Sequence, residues 1–187
     1  MRKLHTIDKT LVKGVLAAFT ALFQEESWFD ANKHLAFSVS LLPEKAGINT
    51  VSEGEFSHPD RQNLTRGIAE EKARRAGSNF ADSGNISTFK GRNPEMNLWG
   101  GGLFYAEEHN EGFVESFGLA VSGLTEEMDE AVGLALAQLH LPNSKLFTYY
   151  ESFIKRDAQY REGLIDSALV LKNADALRKR VTLKRAA

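Results

Sequence analysis

Apolar and polar positions along the first half of the chain follow a pattern that predicts two helices around a pair of strands. Apolar residues recur three and four positions apart from Thr6 to about Gln24, which indicates a helix with Thr6 as its cap. Strand-forming residues occupy 35–42 and 48–52 on either side of a turn at 43–47, which is typical of a hairpin. Asp60 is then the expected cap of a long helix that continues to about Phe80.

The second half has the same order, a strand pair followed by a helix. Strand-forming residues at 103–106 and 113–121 flank a polar loop at 107–112. Thr125 is the predicted N-cap of the next helix, because acidic residues follow it at the positive end of the helix dipole. One face of that helix is apolar and should lie against the sheet. Its residues are Met128, Ala131, Val132, Ala135 and Leu139.

The long helix carries a face of small residues that can approach a sheet closely, formed by Ala69, Ala73 and Ala76. Lys72 falls between this face and a second one that contains Leu64. We therefore expect the Lys72 stem to lie on apolar surface while its ammonium group reaches outward.

Three consecutive glycines, Gly100, Gly101 and Gly102, lead into the third predicted strand. Each glycine loses more conformational entropy on folding than alanine would, so the run needs a physical reason. A tight turn is one reason. A ligand or another backbone that passes too close for a Cβ atom is the other.

Composition and length restrict the class of protein. A chain of 187 residues is long enough for one core and short for two, so we expect one domain with an appendage. Cysteine is absent from the sequence, and no apolar run is long enough to span a bilayer, which favours a cytoplasmic protein. The formal net charge of −2 gives no general attraction to nucleic acid or to anionic membrane, and neither is an expected partner.

Common catalytic signatures do not occur in the sequence. The glycine run precedes a strand and does not link a strand to a helix, so it is not a dinucleotide-binding loop. There is no Walker sequence and no Gly-x-Ser-x-Gly elbow. The five histidines are scattered without an i, i+4 pair, so no metal site is expected.

Three motifs in order resemble the GlcG/HbpS-like family, whose members include haem-binding proteins and the C-terminal domain of some corrinoid adenosyltransferases. The resemblance covers roughly Thr6 to Leu141. Its motifs are Glu71-Lys72-Ala73-Arg74-Arg75-Ala76, the glycines that precede Leu103, and the segment from Gly118 to Ala131 that contains Val121-Ser122-Gly123. The turn at 43–47 differs from the Asp-x-Gly-Gly type of the family.

The resemblance implies an α+β fold, a profilin-like antiparallel sheet of about five strands flanked by helices. It assigns residues 1–141 to the GlcG/HbpS-like domain. Residues 142–187 then form a helical C-terminal extension that packs on the domain or on a partner subunit. Family members commonly assemble into dimers or larger rings, so a homo-oligomer is expected, and a small-molecule pocket is implied that in some members holds haem.

The candidate binding residues of that pocket suit an anionic ligand. Lys72 and Arg75 supply cations, Gly101 and Gly102 supply approachable backbone N–H groups, and Trp99 supplies an aromatic face. His58 and the neighbouring Asn63 could add a proton-transfer or iron-binding group. Each residue also has a purely structural interpretation: solvated or Glu71-paired cations, a core tryptophan and a loop histidine.

Three functional hypotheses follow. The preferred one is a module that binds a flat or anionic small molecule, with haem as the candidate that the family suggests. The alternative is a cofactor-independent isomerase, decarboxylase or lyase that acts on a small carboxylate or carbonyl compound with His58 or Glu71 as acid or base. The third is a structural subunit whose C-terminal extension forms an interface.

Overall fold

The computed structural model describes residues 6–26, 35–43, 47–83, 86–89, 91–108, 114–141, 150–152 and 166–186. Within these ranges the fold is α+β. The helices are α1 (Lys9–Glu26), α2 (Pro59–Ser83), α3 (Glu126–His140) and α4 (Ser167–Ala186), with a 3-10 turn at Pro94–Met96. The strands are β1 (Ala36–Pro43), β2 (Asn49–Gly54), β3 (Gly102–Glu108) and β4 (Val114–Ser122).

The four described strands form one antiparallel sheet in the order β2-β1-β4-β3. The register brings Val39 opposite both Val51 and Val121, and Leu103 opposite Leu119. Because side chains alternate between the two faces of a strand, these pairs give the sheet one continuous apolar face. The structure confirms the predicted α+β class and the antiparallel pairing of both predicted strand pairs. Most of the predicted turn at 43–47 and of the predicted loop at 107–112 lies outside the described residues.

The opposite face of the sheet carries small and polar residues, and α2 lies on it. Ala69, Ala73 and Ala76 of α2 are fully buried there, which confirms the predicted alanine face. A Cβ atom on Gly118 would lie on the carbonyl oxygen of Ala73, far inside contact distance. Toward the β2 edge, hydroxyl groups fill the interface, as in the 3.1 Å contact between the hydroxyl oxygens of Ser38 and Thr65.

The apolar face of the sheet is covered by α3, and α1 and α4 pack beside it. Leu134 of α3, Val15 of α1 and Leu177 of α4 are fully buried in this core. Residues of the predicted extension thus contact the core, where the Tyr150 hydroxyl also donates a hydrogen bond to the buried carboxylate of Glu130. The division of the chain at residue 141 remains a prediction.

The caps of the first two helices differ from the sequence predictions. Asp8, not Thr6, caps α1, because its Oδ1 accepts the backbone N–H of Thr10 at 2.9 Å and of Leu11 at 3.3 Å. For α2 the helix begins at Pro59, a residue suited to the first helical position. His58 Nδ1 then accepts the backbone N–H of Asp60 at 3.2 Å, so the histidine takes the capping position.

The close packing of α2 on β4 gives a test that uses two glycines. Replacement of Gly118 by Ala should lower the free energy of unfolding by roughly 3 kcal/mol, because neither backbone can move away without loss of packing. In α2, a Cβ atom added at Gly67 would meet no other atom within 4 Å, so Gly67→Ala should raise stability by about 1 kcal/mol. Urea denaturation of both variants measures this. Equal effects of the two substitutions would contradict the packing.

Candidate functional site

A cavity of about 310 Å³ lies where α2, the segment before β3 and the start of α3 meet. Its volume is at the lower end of the range for ligand pockets. The cavity is lined by one face of α2 and by residues that follow the 3-10 turn or the end of β4. The lining residues are Arg61, Leu64, Thr65, Ile68, Lys72, Asn97, Trp99, Ser122, Gly123, Leu124, Glu126 and Asp129.

A buried ion pair between Lys72 and Asp129 forms the floor of this cavity. Lys72 Nζ lies 2.8 Å from Asp129 Oδ2 and donates a second hydrogen bond, 2.9 Å long, to the carbonyl oxygen of Val121. The two side chains are only 1% and 3% exposed. The prediction that the Lys72 ammonium reaches outward is therefore wrong: a carboxylate and a carbonyl oxygen inside the protein replace its hydration.

Local chain geometry brings the two charges together. Gly123, with a φ of +127°, turns the chain between β4 and α3, so that Asp129 in the first turns of α3 returns to the end of β4. Asp129 Oδ1 accepts the backbone N–H of Leu124 at 3.2 Å, which fixes the carboxylate. Gly101 has a φ of +94°, and a Cβ there would lie 2.6 Å from the Cβ of Asp129. The turn considered for the glycine run therefore applies at Gly101, and the close approach there is made by side chains, not by a ligand or another backbone.

Burial changes the acidity of Asp129. Removal from water raises its pKa from 3.8 to about 6, although the charge of Lys72 and the hydrogen bonds from Lys72 and Leu124 favour the ionised form. A carboxyl group in a cavity with a strongly shifted pKa and a specific charged partner is a typical feature of functional sites.

Trp99 and Glu126 form the wall next to the floor. Glu126 accepts two hydrogen bonds from Arg92 Nε, at 2.9 and 2.8 Å, and one from the backbone N–H of Gly100 at 2.6 Å. The Arg92 guanidinium carbon lies 5.7 Å from the centre of the Trp99 ring, a cation–π distance. The Glu126 charge is thus neutralised within the wall, and the indole is held in place.

The remaining lining residues include one unpaired cation and one unpaired hydroxyl. Arg61 is exposed at the cavity opening and has no ion-pair partner among the described residues. Ser122 is 5% exposed, and its hydroxyl makes no hydrogen bond to the described part of the chain. Leu64, Ile68 and Leu124 add apolar surface. The cavity can therefore contact an apolar body and an anionic or polar group together.

Of the predicted site residues, the structure brings Lys72 and Trp99 to the cavity. Arg75 lies outside it: its guanidinium donates to Glu71 at 2.5 Å and to the carbonyl oxygens of Thr88 at 2.6 Å and Trp99 at 2.5 Å. Glu71 is thereby paired with Arg75 and does not line the cavity. The sequence also allowed a purely structural role for Arg75, in which it is paired with Glu71. The contacts in the structure are of that kind.

The predicted glycines lie behind the cavity floor. A Cβ atom on Gly101 would meet Asp129 and Lys72, and one on Gly102 would meet Thr88 and Lys72. The N–H of Gly102 donates to Thr88 Oγ1 at 2.9 Å. Side chains therefore fill the space beside both glycines, and neither lines the cavity.

His58 and Asn63 also lie away from the cavity. The side chain of His58 is 68% exposed at the start of α2, and Asn63 is exposed in the first turns of that helix. Neither residue is among those that line the cavity.

Sequence reasoning missed Arg61, Ser122 and the role of Asp129, which it treated only as a favourable charge at a helix start. A signal was present. Apart from Asp129 and Glu130, the stretch from Met128 to Ala137 consists of apolar residues and glycine, and the structure buries all of it. A carboxylate in an otherwise apolar helix indicates a paired or functional group, since a buried charge needs a partner.

Two features are absent from the described ranges: a cluster of metal-ligating side chains and a membrane-spanning helix. There, no three His, Cys, Asp or Glu side chains lie close enough to hold a metal ion. Likewise, no helix in the described ranges combines the length and the apolar character needed to cross a membrane.

The ion pair leads to a second stability test. Replacement of Lys72 by Met leaves Asp129 buried without a cation, so the free energy of unfolding at pH 7 should fall by about 3–5 kcal/mol. The double variant Lys72→Met/Asp129→Asn should recover most of that loss. Lys179→Met, which removes an exposed lysine paired with Asp175 in α4, is the matched control and should cost less than about 1 kcal/mol.

The Lys72→Met loss should also depend on pH. The Asp129 pKa is raised in the folded state, so its protonation favours folding at low pH, and this contribution disappears as the pH rises through about 6. Without Lys72 the pKa of Asp129 rises further, so the stability difference from wild type should narrow as the pH falls from 7 to 4. Chemical denaturation at several pH values measures it, and a constant difference would contradict the pairing.

Comparison of the chain with known protein families, with curated proteins and with solved structures finds no match. The cavity and the residues that line it are therefore the basis on which a function is inferred.

Proposed function

We propose that the chain is a small-molecule-binding protein of the GlcG/HbpS-like type, with its ligand in the cavity that Lys72, Asp129 and Trp99 line. The observation that carries this proposal is the buried ion pair in the cavity floor. A buried ion pair seldom stabilises a fold more than apolar residues of the same size would. Its position beside a ligand-sized cavity supports a role in binding.

The lining residues favour a small ligand that has an anionic group and a flat or apolar body. Lys72 and Asp129 neutralise each other, and Glu126 is neutralised by Arg92. Arg61 then gives the cavity its net positive charge, and a guanidinium binds a carboxylate or phosphate with two parallel hydrogen bonds. Trp99 supplies the aromatic surface on which a flat ligand can pack.

Haem, the ligand that the family resemblance implies, does not fit the lining residues. Haem iron takes histidine, cysteine, methionine or tyrosine as axial ligand, and none of the described residues that line the cavity is of these types. The proposal is therefore a smaller anion.

The family resemblance also carries two proposals about architecture. A profilin-like sheet would have about five strands, and the segment around Ser87 supports an additional edge position, because Thr88 N–H donates to Gly102 O and Phe104 N–H to Ile86 O. A homo-oligomer is the second proposal, and light scattering of the purified protein measures its mass.

A cofactor-independent enzyme that uses the same cavity is the second candidate function. The observation that favours it is the Asp129 carboxyl group, whose pKa of about 6 lies near the working range of a general base. His58 and Glu71, the bases proposed from the sequence, lie outside the cavity.

Binding can be tested with benzoate, a flat carboxylate, in a Trp28→Phe variant that leaves Trp99 as the only tryptophan. Benzoate should change the Trp99 fluorescence, and the neutral analogue benzamide should bind at least tenfold more weakly. Arg61→Gln should weaken benzoate binding by about tenfold, since a charge-assisted hydrogen bond is lost. Arg66→Gln, on the same helix but outside the cavity, is the matched control. Equal effects of the two substitutions would contradict the proposed anion contact.

Haemin titration separates the two ligand classes. Because the lining residues lack an axial ligand, we expect no protein-dependent Soret band. A band that appears with the wild-type protein and disappears with His58→Ala would contradict the small-anion proposal and support haem as the ligand.

A further inference from the structure

The cavity lining contains a buried carboxylate, Asp129, that can accept further hydrogen bonds. Asp129 accepts one hydrogen bond at each oxygen, from Leu124 N–H and from Lys72 Nζ, and each carboxylate oxygen can accept more than one. The other groups that face it are Gly101 from the start of β3 and the Glu126 carboxylate from its own helix. Glu126 accepts three hydrogen bonds, from Arg92 and Gly100, whereas Asp129 accepts two, so Asp129 has the greater remaining acceptor capacity.

Two hydrogen-bond donors, Lys72 and Ser122, line the same cavity as this carboxylate. The Lys72 ammonium has three N–H donors, of which Val121 O and Asp129 occupy two. The Ser122 hydroxyl has no hydrogen-bond partner within the described chain, although the residue is only 5% exposed. A hydroxyl that lines the cavity without an internal partner can donate a hydrogen bond to a ligand. Together the two groups can stabilise negative charge on a ligand oxygen.

We propose that Asp129 is the general base of a proton transfer on small oxo acids, with Lys72 and Ser122 as donors to the enolate oxygen and Arg61 as the carboxylate-binding residue. This inference rests on the proposed binding function of the same cavity. The substrate class follows from the lining: a carboxylate at the opening, a carbonyl oxygen at the two donors and a short apolar chain against Leu64, Ile68 and Leu124.

The step conserves atoms and electrons without a co-reactant. An Asp129 oxygen forms an O–H bond to a proton on the carbon next to the carbonyl group. The electron pair of the broken C–H bond becomes the new C=C bond, and the carbonyl π pair moves to the oxygen. If the proton on Asp129 exchanges with solvent before a proton returns to the same carbon, the substrate exchanges its hydrogen with solvent. Return of a proton to another carbon gives an isomer. The raised pKa of Asp129 supports this chemistry, because a base titrating near pH 6 is ionised at neutral pH and still basic.

The test is deuterium exchange of the C3 protons of 2-oxobutanoate in D2O, followed by proton NMR. The wild-type protein should accelerate exchange, and Asp129→Asn should lower the rate by about 100-fold or more while still binding the compound. Ser122→Ala should lower it by about 100-fold. Glu127→Gln, a half-buried neighbour on the same helix that does not line the cavity, is the control and should exchange at the wild-type rate.

The pH profile of the wild-type protein keeps the test valid if Asp129→Asn does not fold. The exchange rate should increase about tenfold per pH unit below pH 6 and level off above it, because only the ionised carboxylate accepts a proton. A rate that is independent of pH between 5 and 8, or a folded Asp129→Asn variant that exchanges at the wild-type rate, would overturn the assignment.

The experiments distinguish a failure of the catalytic inference from a failure of the proposed binding function. If 2-oxobutanoate changes the Trp99 fluorescence but no exchange occurs, the catalytic inference is overturned and the binding function stands. If benzoate binds and 2-oxobutanoate does not, the oxo acid class is wrong. If neither binds, the proposed binding function itself is overturned. Butanone, which lacks the carboxylate, should exchange more slowly than 2-oxobutanoate, and Arg61→Gln should remove most of that difference.

Discussion

The ion pair between Lys72 and Asp129 is the contact on which the candidate site depends. It joins three elements, since Lys72 belongs to α2, Asp129 to α3, and the carbonyl oxygen of Val121 to β4. Two charges that are almost fully removed from water lose several kcal/mol of hydration each, and their attraction returns that energy only when the geometry is good and further hydrogen bonds are present. Both conditions hold here, so the pair fixes where α2 and α3 stand at the end of the sheet.

The pair can form only because the surrounding packing is unusually close. Alanines on α2 and Gly118 on β4 let the helix backbone approach the strand, which brings Lys72 within reach of β4. Gly101 then leaves the space that the Asp129 side chain fills. Larger residues at these positions would separate the layers, and the two charges would meet water instead of each other. The ion pair in the cavity floor therefore requires small residues on the face of the sheet that α2 covers.

The parts of the fold that the sequence could predict are those fixed by local patterns. The strand predicted at 35–42 lies at Ala36–Pro43, and Thr125 caps α3, with its hydroxyl accepting Met128 N–H at 3.4 Å. Both depend on residues a few positions apart. The side chain of Lys72 points toward Asp129, which lies 57 positions later in the chain. A local pattern of apolar and polar residues does not predict a contact at that separation. The pattern likewise does not show that the His58 imidazole caps α2.

The candidate site was predicted in part, and the missing part has an electrostatic cause. The sequence suggested that Lys72 and Arg75 supply the positive charge, but each is already paired inside the protein, the first with Asp129 and the second with Glu71. A cation that is neutralised by a buried carboxylate adds little attraction for a distant anion. Arg61, without such a partner in the described residues, is the cation that a ligand would meet first.

Proton uptake would change this balance of charge in the floor. When Asp129 is protonated, the cavity floor loses one negative charge, so the cavity becomes more positive by one unit. An anionic ligand should then bind more tightly, and by linkage its binding should raise the pKa of Asp129. The same coupling would allow a bound anion to draw a proton onto the floor carboxylate. In this site, the affinity for an anion and the basicity of Asp129 would therefore have the same physical cause, which is the weak solvation of the buried Asp129 carboxylate.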